Sequence, residues 1–162
     1  MNNPTNSKLI YTFYNWNKVA YKLLRGIRLP GVNVSYIKNI AEAHRLAKHV
    51  LLSKYETVLG IADQPKHARR HRYETRFANK YGQNKILANG KPYYTSTLEI
   101  QEGSDLYCAK EPTKGPCNRS AYLLARTIED NNLHTKFAFV HICKRLTTKQ
   151  LFEDITGWLG IY

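Results

Sequence analysis

Two residues have the types and spacing of an activated thiol and its base. Cys117 lies in the segment GPCNRSAYLL, Gly115 to Leu124, and His141 falls 24 positions beyond it, near the end of the apolar run FAFVHI. Gly115 suits a helix N-cap and Pro116 the first helical position, so Cys117 is expected among the free backbone N–H groups of a first turn. The helix dipole and those donors favour thiolate over thiol and offer a receptor for an oxyanion. His141, at a strand end, is the base that would take the thiol proton and return it to a departing amine. Each residue also has an ordinary alternative. A cysteine in an apolar setting is commonly a small buried hydrophobe, and a histidine beside a core is commonly a satisfied structural residue.

A carboxylate stands upstream. In HRYETRFAN, Glu74 is followed five residues later by Asn79. Accepting a hydrogen bond from the second imidazole nitrogen, it would fix the tautomer and stabilise the imidazolium. Surrounded by Arg70, Arg72 and Arg76, it also reads as half of a surface ion-pair cluster. Asp63, directly after the run VLGIA, competes for the orienting role. Cys143, two places beyond His141 on the same strand face, raises a metal pair, but no third ligand accompanies it.

These segments resemble the pyroglutamyl peptidase I family, the pyrrolidone-carboxylate cysteine peptidases. That family carries a Glu in an E-R-V-A-x-N segment, a Cys in C-N-x-x-x-Y and a His in F-x-H-V. The counterparts here read ETRFAN from Glu74, CNRSAY from Cys117 and FVHI from Phe139, in the family's order, and the resemblance spans Lys8 to Ile142. It implies a triad of Cys117, His141 and Glu74, with Glu74 preferred over Asp63. It further implies a peptide substrate with a blocked N-terminus, from which a pyroglutamyl or similar residue is removed without a cofactor or metal. Phe13, Tyr14 and Trp16 fall where the family's pocket aromatics lie, although most aromatics after a strand are simply packing. The chain departs from the family around the pocket. TFYNWN from Thr12 replaces a glycine-rich T-G-F-x-P-F-G loop, DQPKHARRHRY a compact G-x-x-G-R loop, and KEPTKGP the D-A-G-x-Y lead-in to the cysteine. KYGQNKILANGKPYYTST stands in place of D-A-R-I-P-D-N. These changes bear on pyroglutamate specificity more than on thiol chemistry, and leave open a family member that binds or cleaves a different amide.

The elements that must position these residues are legible as period and punctuation. KLIYTFY reads as a first strand; Val19, Ala20, Leu23, Leu24 and Ile27 recur at helical spacing; GVNVSYI reads as a short strand. Ile40, Ala43, Ala47, Val50 and Leu51 make one helical face, and VLGIA is the continuous apolar run of a buried parallel strand. ETRFAN reads as extended, 82–97 as turn-rich with a hairpin around Asn89-Gly90, SDLYCA as a strand, 118–131 as a helix and 136–142 as a strand. Thr147 and Gln150 fit a capping box opening a last helix with an apolar stripe of Leu151, Phe152, Ile155, Trp158 and Leu159. The expected fold class is α/β, a doubly wound three-layer α/β/α with a mostly parallel central sheet, as one peptidase-like domain over 1–162.

Composition agrees with that size and class. A chain of 162 residues, 43% hydrophobic, can bury a core. Cys108, Cys117 and Cys143 are too few and too unevenly spaced for a disulfide framework or a CxxC zinc site, which favours a reducing compartment. MNNPTNSK lacks the basic and apolar regions of a leader, and no apolar run approaches the roughly 20 residues that span a bilayer. A cytoplasmic protein with no membrane partner is expected, and both a monomer and a homo-oligomer stay open. The net charge of +13 and pI near 9.7 need their own explanation. Lys66, Arg69, Arg70 and Arg72 concentrate in KHARRHR beside Tyr73. A solvated loop is favoured over a nucleic-acid site, because no helix-turn-helix, RNP or zinc-finger pattern accompanies it. A third reading has the loop flank the site and attract acidic peptides.

Overall fold

The computed structural model describes residues 7–161; the segment MNNPTN, read above for a leader, lies outside the described residues. Chain order runs β1 (Lys8–Phe13), α1 (Lys18–Arg25), β2 (Val32–Ile37), α2 (Ile40–Ser53), β3 (Thr57–Asp63), β4 (His71–Glu74), β5 (Arg76–Ala78), β6 (Tyr93–Thr95), β7 (Leu106–Ala109), α3 (Pro116–Asp130), β8 (Lys136–Ile142) and α4 (Thr148–Leu159). The main sheet has the order β2-β1-β3-β8-β4-β7. Its first four strands are mutually parallel; β4 joins β8 antiparallel, and β7 pairs parallel to β4. No helix among the described residues is long and apolar enough to cross a membrane.

The central strands are apolar throughout because both sheet faces are covered, as parallel sheets require. Alternation sorts their side chains. Leu9, Tyr11, Phe13, Val58, Ala62, Phe137 and Phe139 pack with Ala43, Leu46, Ala47 and Val50 of α2 and Ala121, Leu124 and Ala125 of α3. Ile10, Leu59, Ile61, Ala138, Val140 and Ile142 pack with Leu23 and Leu24 of α1 and Leu151 and Ile155 of α4. The result is the expected three-layer α/β/α fold. The Thr147–Gln150 capping box opens α4, and the Asn39 side chain caps α2 by accepting from the Glu42 N–H. Phe152 departs from the expected stripe and is exposed.

The stretch 82–97 folds differently from its turn signal. Asn89-Gly90 closes a turn, Gly90 N–H to Leu87 C=O, with no strand pair across it. The antiparallel pair is instead β5 with β6, in register Phe77 opposite Tyr94, and the intervening residues form one long connection. Phe77 and Tyr94 are apolar enough to enter the α3-side core, which outweighs the local turn preference of Asn-Gly.

Gly60 fixes a close approach at the sheet centre. It sits between Tyr11 and Phe139 in register, and a Cβ there would lie 2.2 Å from Phe139 Cδ2 and 2.9 Å from Tyr11 Cζ. Phe139 therefore lies over the bare backbone, edge-on to Tyr11, with its ring centroid 5.1 Å from that of His141. Gly60→Ala should cost about 1–3 kcal/mol in urea unfolding, because Phe139 has no free volume to retreat into. An unchanged midpoint would show that the sheet relaxes at no cost.

Candidate active site

Side-chain alternation on β8 continues from Phe137 and Phe139 to His141, so His141 faces α3. On β4, Tyr73 packs on the α4 side, which turns Arg72 and Glu74 to the α3 side. The antiparallel register places Arg72 opposite His141 and Glu74 opposite Phe139, so Glu74 is the diagonal neighbour of His141. Glu74 Oε1 lies 3.2 Å from His141 Nδ1 and accepts a 2.9 Å hydrogen bond from Arg72 Nε. Both Glu74 and His141 are buried. Their separation is that of an ion pair, but the oxygen lies off the ring N–H direction and no hydrogen bond closes between them.

Cys117 reaches the same place from the opposite layer. Gly115 is the N-cap of α3 and Pro116 its first residue, as the sequence predicts. The first-turn N–H groups have no intrahelical acceptor and point toward the sheet end. Cys117, Glu74 and His141 line one void with Phe77, Thr113, Asn118, Ala121 and Phe139. That void is too narrow to admit a water molecule. Three buried polar atoms along it, His141 Nδ1, Glu74 Oε2 and Thr113 Oγ1, have no hydrogen-bond partner among the described residues. Unsatisfied buried polar groups are costly, and one setting that retains them is a catalytic site.

The other motif residues build the frame. The Asn118 side chain accepts from Ala78 N–H and donates to the Ala78 and Lys80 carbonyls, fastening β5 to the start of α3. Asn79 accepts from Leu87 N–H and donates to the Leu87 and Gly90 carbonyls, while Tyr122 Oη donates to Lys91 C=O. Thr75, Arg76 and Arg72 donate to the carbonyls of Ala109, Lys110 and Glu111, holding the lead-in to Cys117 against β4 and β5. These roles were missed at the sequence level. The signal was present in the polar residues of ETRFAN and CNRSAY, but which backbone each one meets depends on long-range pairing.

The electrostatics reverse one expectation. Burial, followed by the negative charges of Glu74 and Asp63, pushes the Cys117 thiol up to about 12, outweighing its own backbone N–H. A helix start beside water lowers a thiol; here desolvation and two carboxylates win. Cys117 rests protonated. Tyr11, which shares a hydrogen bond with Ser120 Oγ at 3.2 Å, is also held far above the usual phenol range by burial.

Other residues singled out by sequence lie elsewhere. Asp63 faces α1, where its carboxylate accepts from the Val19 and Ala20 N–H groups and lies 3.9 Å from Lys144 Nζ, so strand parity takes it away from His141. Cys143 follows the end of β8 and turns to the α4 side, where its thiol donates to Ala68 C=O; it shares a cleft with His71 instead of a face with His141. No group of three His, Cys, Asp or Glu among the described residues is placed to hold a metal. Phe13 is fully buried in the core, Tyr14 is half-buried against Tyr21, and Trp16 is 48% exposed and packs on Phe13. None of the three lines the void. The basic stretch 66–72 is not one solvated loop, because β4 begins inside it. Arg70 donates to the Gly103 and Leu106 carbonyls, buried His71 lies 3.1 Å from Asp154, and Arg72 is tied to Glu74. Lys66, His67 and Arg69 stay exposed.

Solved structures share this fold at low sequence identity. A point variant of the pyrrolidone carboxyl peptidase of Pyrococcus furiosus superposes with TM-score 0.73 at 13% identity, covering 94% of this chain and 96% of that one. The pyrrolidone carboxyl peptidase of Thermococcus litoralis gives 0.74 at 12% identity, covering 94% and 93%. The chain has the pyrrolidone carboxyl peptidase fold. No protein-family model matches the sequence, and no curated protein matches it by sequence. The pyrrolidone carboxyl peptidase fold is thus retained here with little of the sequence that accompanies it in those two enzymes.

The raised thiol and phenol have a thermodynamic consequence. An unfolded chain ionises them near 9.0 and 10.0, whereas the folded chain keeps both protons to higher pH and so binds more of them. Their contribution is full below those values and is lost as pH rises through them. The melting temperature should fall as pH rises from about 9 toward 12, with a shallower slope in Cys117→Ala; equal slopes would place the alkaline loss elsewhere. Iodoacetamide labelling of Cys117 should climb with pH without levelling below about pH 10. A plateau near neutrality would reveal a resting thiolate–imidazolium pair.

Proposed function

We propose that this protein is a cysteine peptidase that removes an N-terminal pyroglutamyl or similar residue from peptides through Cys117, His141 and Glu74. The observation that carries the reading is the Glu74–His141 pair at 3.2 Å, buried on the same sheet face that receives Cys117 at the start of α3. A carboxylate beside Nδ1 orients the ring and stands against the positive charge that His141 would acquire on taking the thiol proton.

The chemistry divides into acylation and deacylation. Because the thiol rests protonated, proton transfer to His141 accompanies attack of sulfur on the carbonyl carbon that follows the N-terminal residue. The carbonyl oxygen becomes an oxyanion, received by the first-turn N–H groups of α3. Collapse breaks the C–N bond as His141 returns the proton to the leaving amine. A water that gives its proton to His141 then attacks the thioester carbonyl, freeing the carboxylic acid and restoring the thiol. Glu74 contributes charge and placement throughout and is not consumed. A void too narrow for water means that the site must open for a substrate to reach Cys117.

Release of a fluorescent amine from a pyroglutamyl amide tests the reading. Turnover should vanish in Cys117→Ala and His141→Ala and fall about 10²–10⁴-fold in Glu74→Gln. No turnover by folded wild-type protein would reject this substrate, and turnover that survives Cys117→Ala would reject the nucleophile.

A further inference from the structure

We infer that the segment leaving from the substrate is acidic: the peptide after the scissile bond carries carboxylates that a basic collar around Cys117 recognises. This rests on the peptidase reading above and adds the class of peptide cleaved. The sequence draws attention to Lys66–Arg72, but the structure assembles a different cluster. The hydrogen bonds that fasten β4, β5 and the connection after β5 to the start of α3 bring together Arg76, Lys80, Lys110, Lys114 and Arg119, with Arg72 behind them. Arg76 donates to Lys110 C=O, Asn118 donates to Lys80 C=O, and Gly82 N–H donates to Lys114 C=O. Each bond joins two of the segments that carry these cations. Over the same segments, 72–84 and 109–119, the acidic residues are Glu74, buried in the site, and the exposed Glu111.

Lys80, Lys110 and Lys114 are exposed and have no ion-pair partner among the described residues. Arg119 has a buried Nε without a hydrogen-bond partner. The acyl side of a substrate must enter the small void beside Cys117, so the leaving side extends over its rim, where these cations stand. Carboxylates fit this rim better than nucleotides do. The two exposed tyrosines beside it, Tyr81 and Tyr93, already carry Arg119 and Arg76 on their rings at 5.1 and 5.3 Å, so they are not free platforms for base stacking. Uncompensated charge at the mouth of a site raises local substrate concentration and on-rate, and salt screens it.

The test compares three pyroglutamyl peptides, followed by tri-Glu, tri-Gln or tri-Lys, at low and high salt. The tri-Glu peptide should show kcat/KM on the order of ten-fold above tri-Gln, with tri-Lys lowest, and the gap should shrink with salt. The gap should also shrink in Lys110→Gln/Lys114→Gln, while tri-Gln turnover stays unchanged. Equal kcat/KM for all three would overturn the inference and leave the peptidase reading intact. If none is cleaved, that reading fails on its own. The inference is then decided by fluorescence anisotropy of the same peptides on Cys117→Ala protein, where tighter binding of tri-Glu supports it and equal binding overturns it. Binding of a single-stranded oligonucleotide that outcompetes tri-Glu and is lost in the same double variant would overturn it in favour of a nucleic-acid surface.

Discussion

The antiparallel pairing of β4 with β8 is the constraint on which the site depends. The four strands from β2 to β8 run parallel and alone would offer His141 no partner from the next strand at that end. Reversing β4 brings Arg72 opposite His141 and sets Glu74 diagonally beside it on the face that α3 covers. A one-residue slip would turn Glu74 to the α4 side and leave His141 facing Tyr73 or a reversed neighbour. The slip is resisted because Tyr73 must stay on the other face, where its hydroxyl lies within hydrogen-bond distance of both Ser96 Oγ and Leu98 C=O. The buried charge is therefore placed by an apolar and hydrogen-bonded neighbour that takes no part in chemistry.

A buried carboxylate beside a buried imidazole and a half-buried thiol is an unfavourable collection in isolation. Arg72 offsets part of the cost by hydrogen bonding Glu74, and its second contact, to Glu111 C=O, couples that compensation to the lead-in of α3. Desolvation wins over the helix terminus in setting the thiol, so the resting site stores a proton on sulfur instead of a thiolate. This arrangement separates it from reactive cysteines at open helix starts, where the thiolate is favoured.

The remaining motif polar groups spend their hydrogen bonds on backbone. Asn118, Asn79 and Tyr122 fasten β5 and the 87–91 turn to α3, and the tight fit of Gly90 against Tyr122 Oη and Asn79 Nδ2 shows how closely the backbone approaches. Holding these segments on α3 also brings the stretches that carry the exposed Lys80, Lys110 and Lys114 to the start of that helix. Frame and charge distribution come from the same contacts.

Local patterning was enough to determine much of this protein. The apolar runs of β1, β3 and β8, the Thr147–Gln150 cap, and the Gly115-Pro116 entry to α3 rest on period, propensity and capping, which act within a few residues. The candidate trio was legible because Glu74, Cys117 and His141 sit in short segments with recognisable neighbours. Tertiary structure decided what depends on residues distant in sequence. Strand parity sent Asp63 to α1 and turned Glu74 to His141; packing of Phe77 and Tyr94 replaced the Asn89-Gly90 hairpin; β4 divided the basic stretch between two faces. Burial, finally, reversed the sign expected for Cys117, since desolvation is set by every layer packed over a group and no local spacing encodes it.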